Sequence, residues 1–278
     1  MALEIKHSSF GQLSEMSDTL VIEISNHLIA FCEFQTNKTS PHYVCEYAID
    51  LESVGTLSEH FINTIKHFQF SKKNYKAVYV NYFSKQFTLC PTAFYHIENN
   101  RTLLEFNTGS VLDQVVLVDE MNTDIKLIYA IEEAFKSTLD VFFPHHQLRH
   151  STTVLSKLLL TSDELVKEHI IVSVHSTYIE IVVKQNHQLV FANQFSITTT
   201  EDVLYYVLFV LEQYYFNPLT TNITIVGNME MTSHLMVSLK KYIKNIHVGI
   251  GNKQINWEHV KGMPQHFNYT LLNRLFCE

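Results

Sequence analysis

Glycine and proline are scarce in this chain, at seven and five residues among 278. So few glycines leave little material for a phosphate-cradling loop, and no P-loop, dinucleotide fingerprint or nucleophile-elbow pattern occurs. Low-complexity tracts are also missing, which excludes a disordered or linker-like chain. Basic charge is in deficit: 20 Lys and Arg face 28 Asp and Glu, a net charge of −8. That disfavours nucleic acid as the main partner, because phosphate binding needs a basic face. Lys72-Lys73 and Lys240-Lys241 are the paired basic residues, and solvated faces explain them. The longest apolar run, Val203 to Leu211, is about half of what a membrane span requires, so no transmembrane segment is expected. The first residues lack the basic, apolar, small-residue progression of a signal peptide. Cys32, Cys45, Cys90 and Cys277 form no CxxC pair and sit mostly in apolar runs. Reduced, buried thiols in a cytoplasmic protein are the expectation.

What is present is concentrated between His169 and Asn228. Ile170-Ile171-Val172-Ser173-Val174 reads as a strand, turns through His175-Ser176-Thr177, and continues as Tyr178-Ile179-Glu180-Ile181-Val182-Val183. A polar turn at Lys184 to His187 leads to Leu189-Val190-Phe191. A helix from Thr199 to Phe216 and a buried strand, Ile223 to Val226, complete the unit. Alternating β-branched residues argue for the strands, and the capped apolar run argues for a largely buried helix. Its Leu204, Leu208 and Leu211 are expected in the core.

The same order appears in the first third of the chain. Leu20–Ile24 and Leu28–Cys32 read as strands joined by Ser25-Asn26-His27, and Tyr43 to Ile49 as a third. Thr56-Leu57-Ser58-Glu59 is a capping box that opens a helix to about Phe68, and Lys76 to Val80 is a short strand. Laid over Ile170–Lys184, Leu20–Phe34 matches in its apolar positions without a gap, and Thr198 to Glu201 supplies the second capping box. Five elements in matching order favour an internal duplication over two unrelated hairpin-and-helix units. Elsewhere, residues 1–18 read as irregular. Leu155 to Val166 and Thr232 to Ile243 read as helices, and so does a tail from about 264 to 275 that could pack back on the first lobe. The expected division is a first lobe, 1–150, and a second, 151–278.

This duplicated strand–strand–strand–helix–strand pattern resembles the actin-like ATPase superfamily, with its ribonuclease H-like lobes around a cleft. Segments such as Phe87-Thr88-Leu89-Cys90-Pro91 and Ile223-Thr224-Ile225-Val226-Gly227 are similar to a bacterial family, domain of unknown function family 3822, associated with that fold. The resemblance implies an Asp-x-Gly motif at the first turn of each half. There the glycine lets backbone amides approach phosphate, and the aspartate organises magnesium. Here the first copy reads Glu23-Ile24-Ser25-Asn26 and the second Ser173-Val174-His175-Ser176-Thr177. The adenosine-side motif, implied to end in two glycines, reads Val226-Gly227-Asn228. Each motif departs from the pattern at a position the chemistry needs.

The expectation is therefore a non-catalytic actin-like protein acting through protein contacts, as a scaffold or adaptor, with another copy of itself among the partners it could take and no cofactor. The alternative is an ATP-binding switch with weak or no hydrolysis, using ATP with magnesium in a relic cleft of Glu23, Ser25, Asn26, Ser173, Ser176, Thr177 and Gly227. A phosphotransferase resembling sugar or acetate kinases would need a catalytic carboxylate, for which Asp119 or Glu120 is the placed candidate. His145, His146 and His150 invite a metal reading, but no Cys or carboxylate accompanies them at a usual ligand spacing. The aromatic-rich helix with Tyr205, Tyr206, Phe209, Tyr214, Tyr215 and Phe216 reads first as core. Rings that reach the surface would instead mark a protein interface.

Overall fold

A computed structural model describes residues 7–12, 17–35, 39–49, 55–162, 166–227, 234–249 and 251–277. In chain order, β1 (His7–Gly11), β2 (Ser17–Ile24), β3 (Leu28–Gln35) and β4 (Pro41–Ala48) precede α1 (Leu57–His67) and β5 (Ala77–Tyr82). An inserted unit follows, of β6 (Phe87–Pro91), α2 (Asn100–Thr108), β7 (Gln114–Glu120), β8 (Ile125–Glu132) and α3 (Glu133–Phe142). The chain returns through β9 (His146–His150) and α4 (Ser151–Leu160). Then come β10 (Glu168–Val174), β11 (Tyr178–Gln185), β12 (Gln188–Ser196), α5 (Thr200–Gln213) and β13 (Asn222–Gly227). The last elements are α6 (His234–Leu239), β14 (Ile246–Val248) and α7 (Tyr269–Asn273).

Two of the three sheets share one topology. Their orders are β1-β4-β3-β2-β5-β9 and β12-β11-β10-β13-β14, while β6-β8-β7 forms the inserted sheet. With β1 set aside, both large sheets run third, second, first, fourth, fifth strand. The first three strands are antiparallel and the last two parallel. Registers agree as well: Glu23 lies opposite Ala30, and Ser173 opposite Glu180. In the β11–β12 hairpin, Asn186 and His187 both take positive φ, at 50° and 67°, the demand of a tight two-residue turn that matches strand twist.

The central strands β2, β3, β10 and β11 are buried on both faces. On one side of the first sheet, Phe31, Phe61, Phe70 and Phe135 are fully buried in one cluster with Leu20, Ile22 and Ile24. The second sheet packs Ile170, Val172 and Ile181 against α5 and α6. Two short helices sit between the lobes. α4 packs on β5 and β9 of one sheet and on β10, β11 and β12 of the other, and α7 packs on β2, β3 and α4. The first turn of α4 buries Ser151, Thr152 and Thr153, so the floor between the lobes is polar. Among the described residues, no helix is long and apolar enough to cross a membrane. All four cysteines are free and buried.

Several boundaries differ from the sequence expectation, each for a physical reason. Residues 7–11, expected to be irregular, form β1, because they pair antiparallel with β4 across a long loop. His146–His150, given no element from sequence, is a parallel strand beside β5, and Leu155–Val166 gives way to the earlier α4, capped by His150. The second capping box lies one residue later, on Thr199 and Asp202, not Thr198 and Glu201. There Asp202 takes the amides of Thr198 and Thr199, which hold its carboxyl down at about 2. The helix read over Thr232–Ile243 spans only His234–Leu239 among the described residues, and the tail helix shortens to α7 with a 3-10 turn at Arg274–Phe276.

In α5 the fully buried stripe is Val203, Val207, Val210 and Leu211, with Leu204 and Leu208 half-buried beside it. Leu211→Ala is therefore expected to cost roughly 2–5 kcal/mol in chemical denaturation, with Leu208→Ala costing clearly less. Equal losses at both positions would misplace the buried face. The helix expected to reach Phe216 ends at Gln213, and its aromatic residues divide: Tyr205 is 61% exposed, and beyond the helix Tyr215 is 95% exposed while Phe216 is buried.

Candidate functional site

The two hairpin turns meet at the floor between the lobes. In β2, Glu23 points inward and is buried, with the Thr270 hydroxyl of α7 donating to its Oε2. Asn81 of β5 lies opposite Glu23 in the parallel pairing and donates its Nδ2 to the Thr270 carbonyl at 3.2 Å. Burial raises the Glu23 pKa, and the Thr270 bond and the charge of His175 offset part of that rise. Glu23 thus ties α7 to the first sheet.

At the adjoining turn, the Ser25 hydroxyl accepts from the backbone N–H of His27 at 3.3 Å and of Leu28 at 3.1 Å. Its own amide donates to the Leu28 carbonyl at 2.8 Å. The amides of Ser25, His27 and Leu28 are satisfied from within the turn. Asn26, at the tip, is exposed.

In the second copy the imidazole of His175 folds inward. Its Nε2 lies 3.0 Å from the Ser173 hydroxyl and 3.6 Å from Glu180 Oε2, and the ring stacks on Tyr178 at 4.2 Å between centroids. Glu180 is fully buried and its Oε1 accepts from Ser151 at 3.0 Å and Thr152 at 2.6 Å, at the N-terminus of α4. Burial alone would raise its pKa, but the adjacent His175 imidazole, the Thr152 hydrogen bond and the charge of His150 outweigh that and hold it below the usual carboxylate range. Tyr178 is buried too, and its ring packs on Phe83 at 3.8 Å, which links the second turn to the end of β5. Ser176 and Thr177 remain exposed at the tip, with the Thr177 carbonyl accepting from the amide of Ile197.

The structure therefore brings together Glu23, Ser25, Ser173 and the turn at His175. It leaves Asn26, Ser176 and Thr177 at the tips, and Gly227 at the end of β13. Gly227 has φ +99°, donates its amide to the His266 carbonyl at 2.8 Å, and faces the backbone of Val174. Asn228 lies outside the described residues. Sequence reasoning missed Glu180, Asn81, Thr270 and the Ser151-Thr152 pair. Glu180 carried a legible signal: a lone carboxylate amid β-branched residues must find partners if the strand is buried.

The kinase candidates and the histidine cluster have other roles. Asp119 Oδ2 accepts the His150 amide at 2.7 Å, and Glu120 is exposed and paired to Lys126 at 2.7 Å. His150 is buried, with Nδ1 accepting from the Thr152 amide and Nε2 donating to the Ser84 carbonyl at 3.0 Å. His145 is exposed, while His146 lies 2.7 Å from the Phe143 carbonyl. No group of three potential metal ligands occurs among the described residues.

Residues 7–246 match the family described as Protein of unknown function (DUF3822). The chain belongs to the DUF3822 family. Among solved structures, this DUF3822 chain is similar to a protein of Bacteroides thetaiotaomicron with an actin-like ATPase fold and unknown function. That match has a TM-score of 0.81 at 22% identity over 96% of this chain and 100% of the other. It is also similar to a chain of the PilM–PilN type IV pilus biogenesis complex, with a TM-score of 0.55 at 13% identity over 95% and 96%. A third likeness is to the ethanolamine utilization protein EutJ of Carboxydothermus hydrogenoformans, with a TM-score of 0.54 at 7% identity over 93% and 89%. At these identities the likenesses establish the fold: two actin-like lobes around a cleft. No curated protein matches the chain.

Proposed function

We propose that this DUF3822 protein is a non-catalytic member of the actin-like fold that works through protein contacts in the cytoplasm. The observation that carries the reading is Ser25. Its hydroxyl engages the His27 and Leu28 amides of the turn at which the resemblance places phosphate. Two further features support it. The His175 imidazole and Tyr178 ring fill the second turn, and Glu180 Oε1 accepts from Ser151 and Thr152 of α4 while the His175 ring stands 3.6 Å from Oε2. A Cβ at Gly227 would fall 2.1 Å from the Val174 carbonyl oxygen, so that glycine serves strand packing. These residues do not fit magnesium and a nucleotide. The motifs are then degenerate, the lobes (1–150 and 151–278) descend from one duplicated unit, and no cofactor is needed. PilM, a similar fold, is found in a complex with PilN, which favours a protein partner by analogy.

Calorimetric titration with ATP and ADP, with and without magnesium, tests this. No heat of binding is expected at millimolar nucleotide, and phosphate release should be absent. Each displaced phosphate contact would cost about 1–3 kcal/mol, so losing several abolishes binding at cellular concentrations. Saturable binding would instead favour a nucleotide-dependent switch.

A further inference from the structure

The two large sheets share one strand order but end differently at their third strand. In the first sheet, β1 covers the edge of β4, pairing antiparallel from His7 opposite Tyr47 to Gly11 opposite Tyr43. In the second sheet, β12 is the terminal strand. The registers make Phe191 to Phe195 the counterparts of Tyr43 to Tyr47.

An uncovered edge is normally guarded by charge, proline or shortness. β12 has none of these guards: its nine residues, Gln188 to Ser196, contain no proline and no ionisable side chain. Ile197 donates inward to Thr177, so strand alternation turns the N–H groups of Ala192, Gln194 and Ser196 outward. The start of this outer side is closed, because the Val190 carbonyl accepts from the Tyr214 hydroxyl at 3.0 Å. At Gln194 only the neighbouring Asn193 side chain covers the amide, at 2.8 Å. Beyond Val190, no other backbone hydrogen bond reaches this side among the described residues.

That open stretch lines a groove of about 320 Å³. Across it stand Lys85 and, from α2 of the inserted unit, Asn107 and Thr108. In the first sheet the matching side is taken by one terminal strand, β1, and not by a further sheet. Lys85 is exposed and has no ion-pair partner among the described residues, on a protein whose net charge is −8. We propose that an extended segment of a partner protein adds antiparallel to β12 over Ala192 to Ser196, as β1 does on β4. A carboxylate of that segment meets Lys85. Main-chain bonds give affinity in such strand addition, and the groove wall gives selectivity. This deepens the protein-contact reading above and rests on it.

The test pans a displayed random heptapeptide library on the full chain and titrates the selected synthetic peptides. Amide hydrogen exchange is followed with and without peptide. Acid-containing peptides are expected to bind and to slow exchange at Ala192 and Ser196. Binding should weaken at least about tenfold with Lys85→Glu, and likewise with Gln194→Pro. Ser196→Lys, which adds a guarding charge at an exposed position of the same edge, should have the same effect should the proline variant fold poorly. Ala192 and Ser196 amides already protected in dilute monomer would overturn the proposal, as would failure to select any peptide. A dimer that protects these same amides would assign the edge to a second copy and equally overturn it. Protection confined to another face would sink the edge while leaving the protein-contact reading intact, whereas saturable nucleotide binding would strike that reading alone.

Discussion

Gly227→Ala is expected to destabilise the protein by about 3–5 kcal/mol, the sum of a strained backbone and an overpacked contact. Two observations set this size. The residue sits at φ +99°, a region that side-chain-bearing residues rarely enter, and an added Cβ would lie 2.1 Å from the Val174 carbonyl oxygen and 2.8 Å from its nitrogen. Neither neighbour can yield, because both belong to the backbone of β10, which is paired on each side. In the first sheet the equivalent position is Tyr82, opposite Ile24, so a side chain is admissible there. The difference is that β13 ends by turning its amide to His266, which brings the chain over β10. Urea denaturation measures the loss. A change below about 1 kcal/mol would show that the strand end gives way. The glycine would then be free to serve a ligand.

This glycine also illustrates what was legible in the chain. From sequence it belongs to a motif that approaches a nucleotide; in the fold the approach is made by a neighbouring strand. Local patterns carried the architecture, since β-branched alternation fixed the hairpins at Leu20–Cys32 and Ile170–Val183 and paired capping boxes fixed α1 and α5. β1 and β9 escaped because Ser8-Ser9 and His146-Gln147 have no strand character of their own. They become strands only by pairing with β4 and β5. The site was half legible for the same reason. Glu23 and Ser25 stood out in a turn, but what defines Glu23 is its strand neighbour Asn81, far along the first lobe, and its partner Thr270, 247 residues away. In sequence Ser25 is a Cβ that intrudes on phosphate, whereas in the fold its hydroxyl takes over the turn amides outright.

Acidification from pH 7 to 4 is expected to cost the fold about 3 kcal/mol through His150 alone, at about 1.4 kcal/mol for each tenfold loss of proton affinity on folding. The ring is buried, and burial lowers its pKa from the ordinary 6.5 to about 4, against the opposing charge of Glu180 and the bond to Ser84. Between those values the unfolded chain binds a proton that the folded chain does not, so stability falls as pH falls through this window. Its hydrogen bonds explain the preference. Nδ1 must stay unprotonated to accept the Thr152 amide, and protonation would leave that helix N-terminus facing a cation. His169, also lowered to about 4 by burial, acts in the same direction. Glu23, whose pKa is raised, acts oppositely: its folded form holds a proton more firmly, so its contribution grows as pH falls toward 4.5. Glu180, with its lowered pKa, contributes stability that is lost only below 4.5. Denaturation midpoints across pH 4–7 should therefore slope downward toward acid, and His150→Gln should flatten that slope whatever it does to stability at pH 7. An NMR titration isolates the group, since the His150 ring signals should stay fixed until about pH 4. A ring that titrates near 6.5 would place His150 in contact with water and remove it from the floor of the cleft.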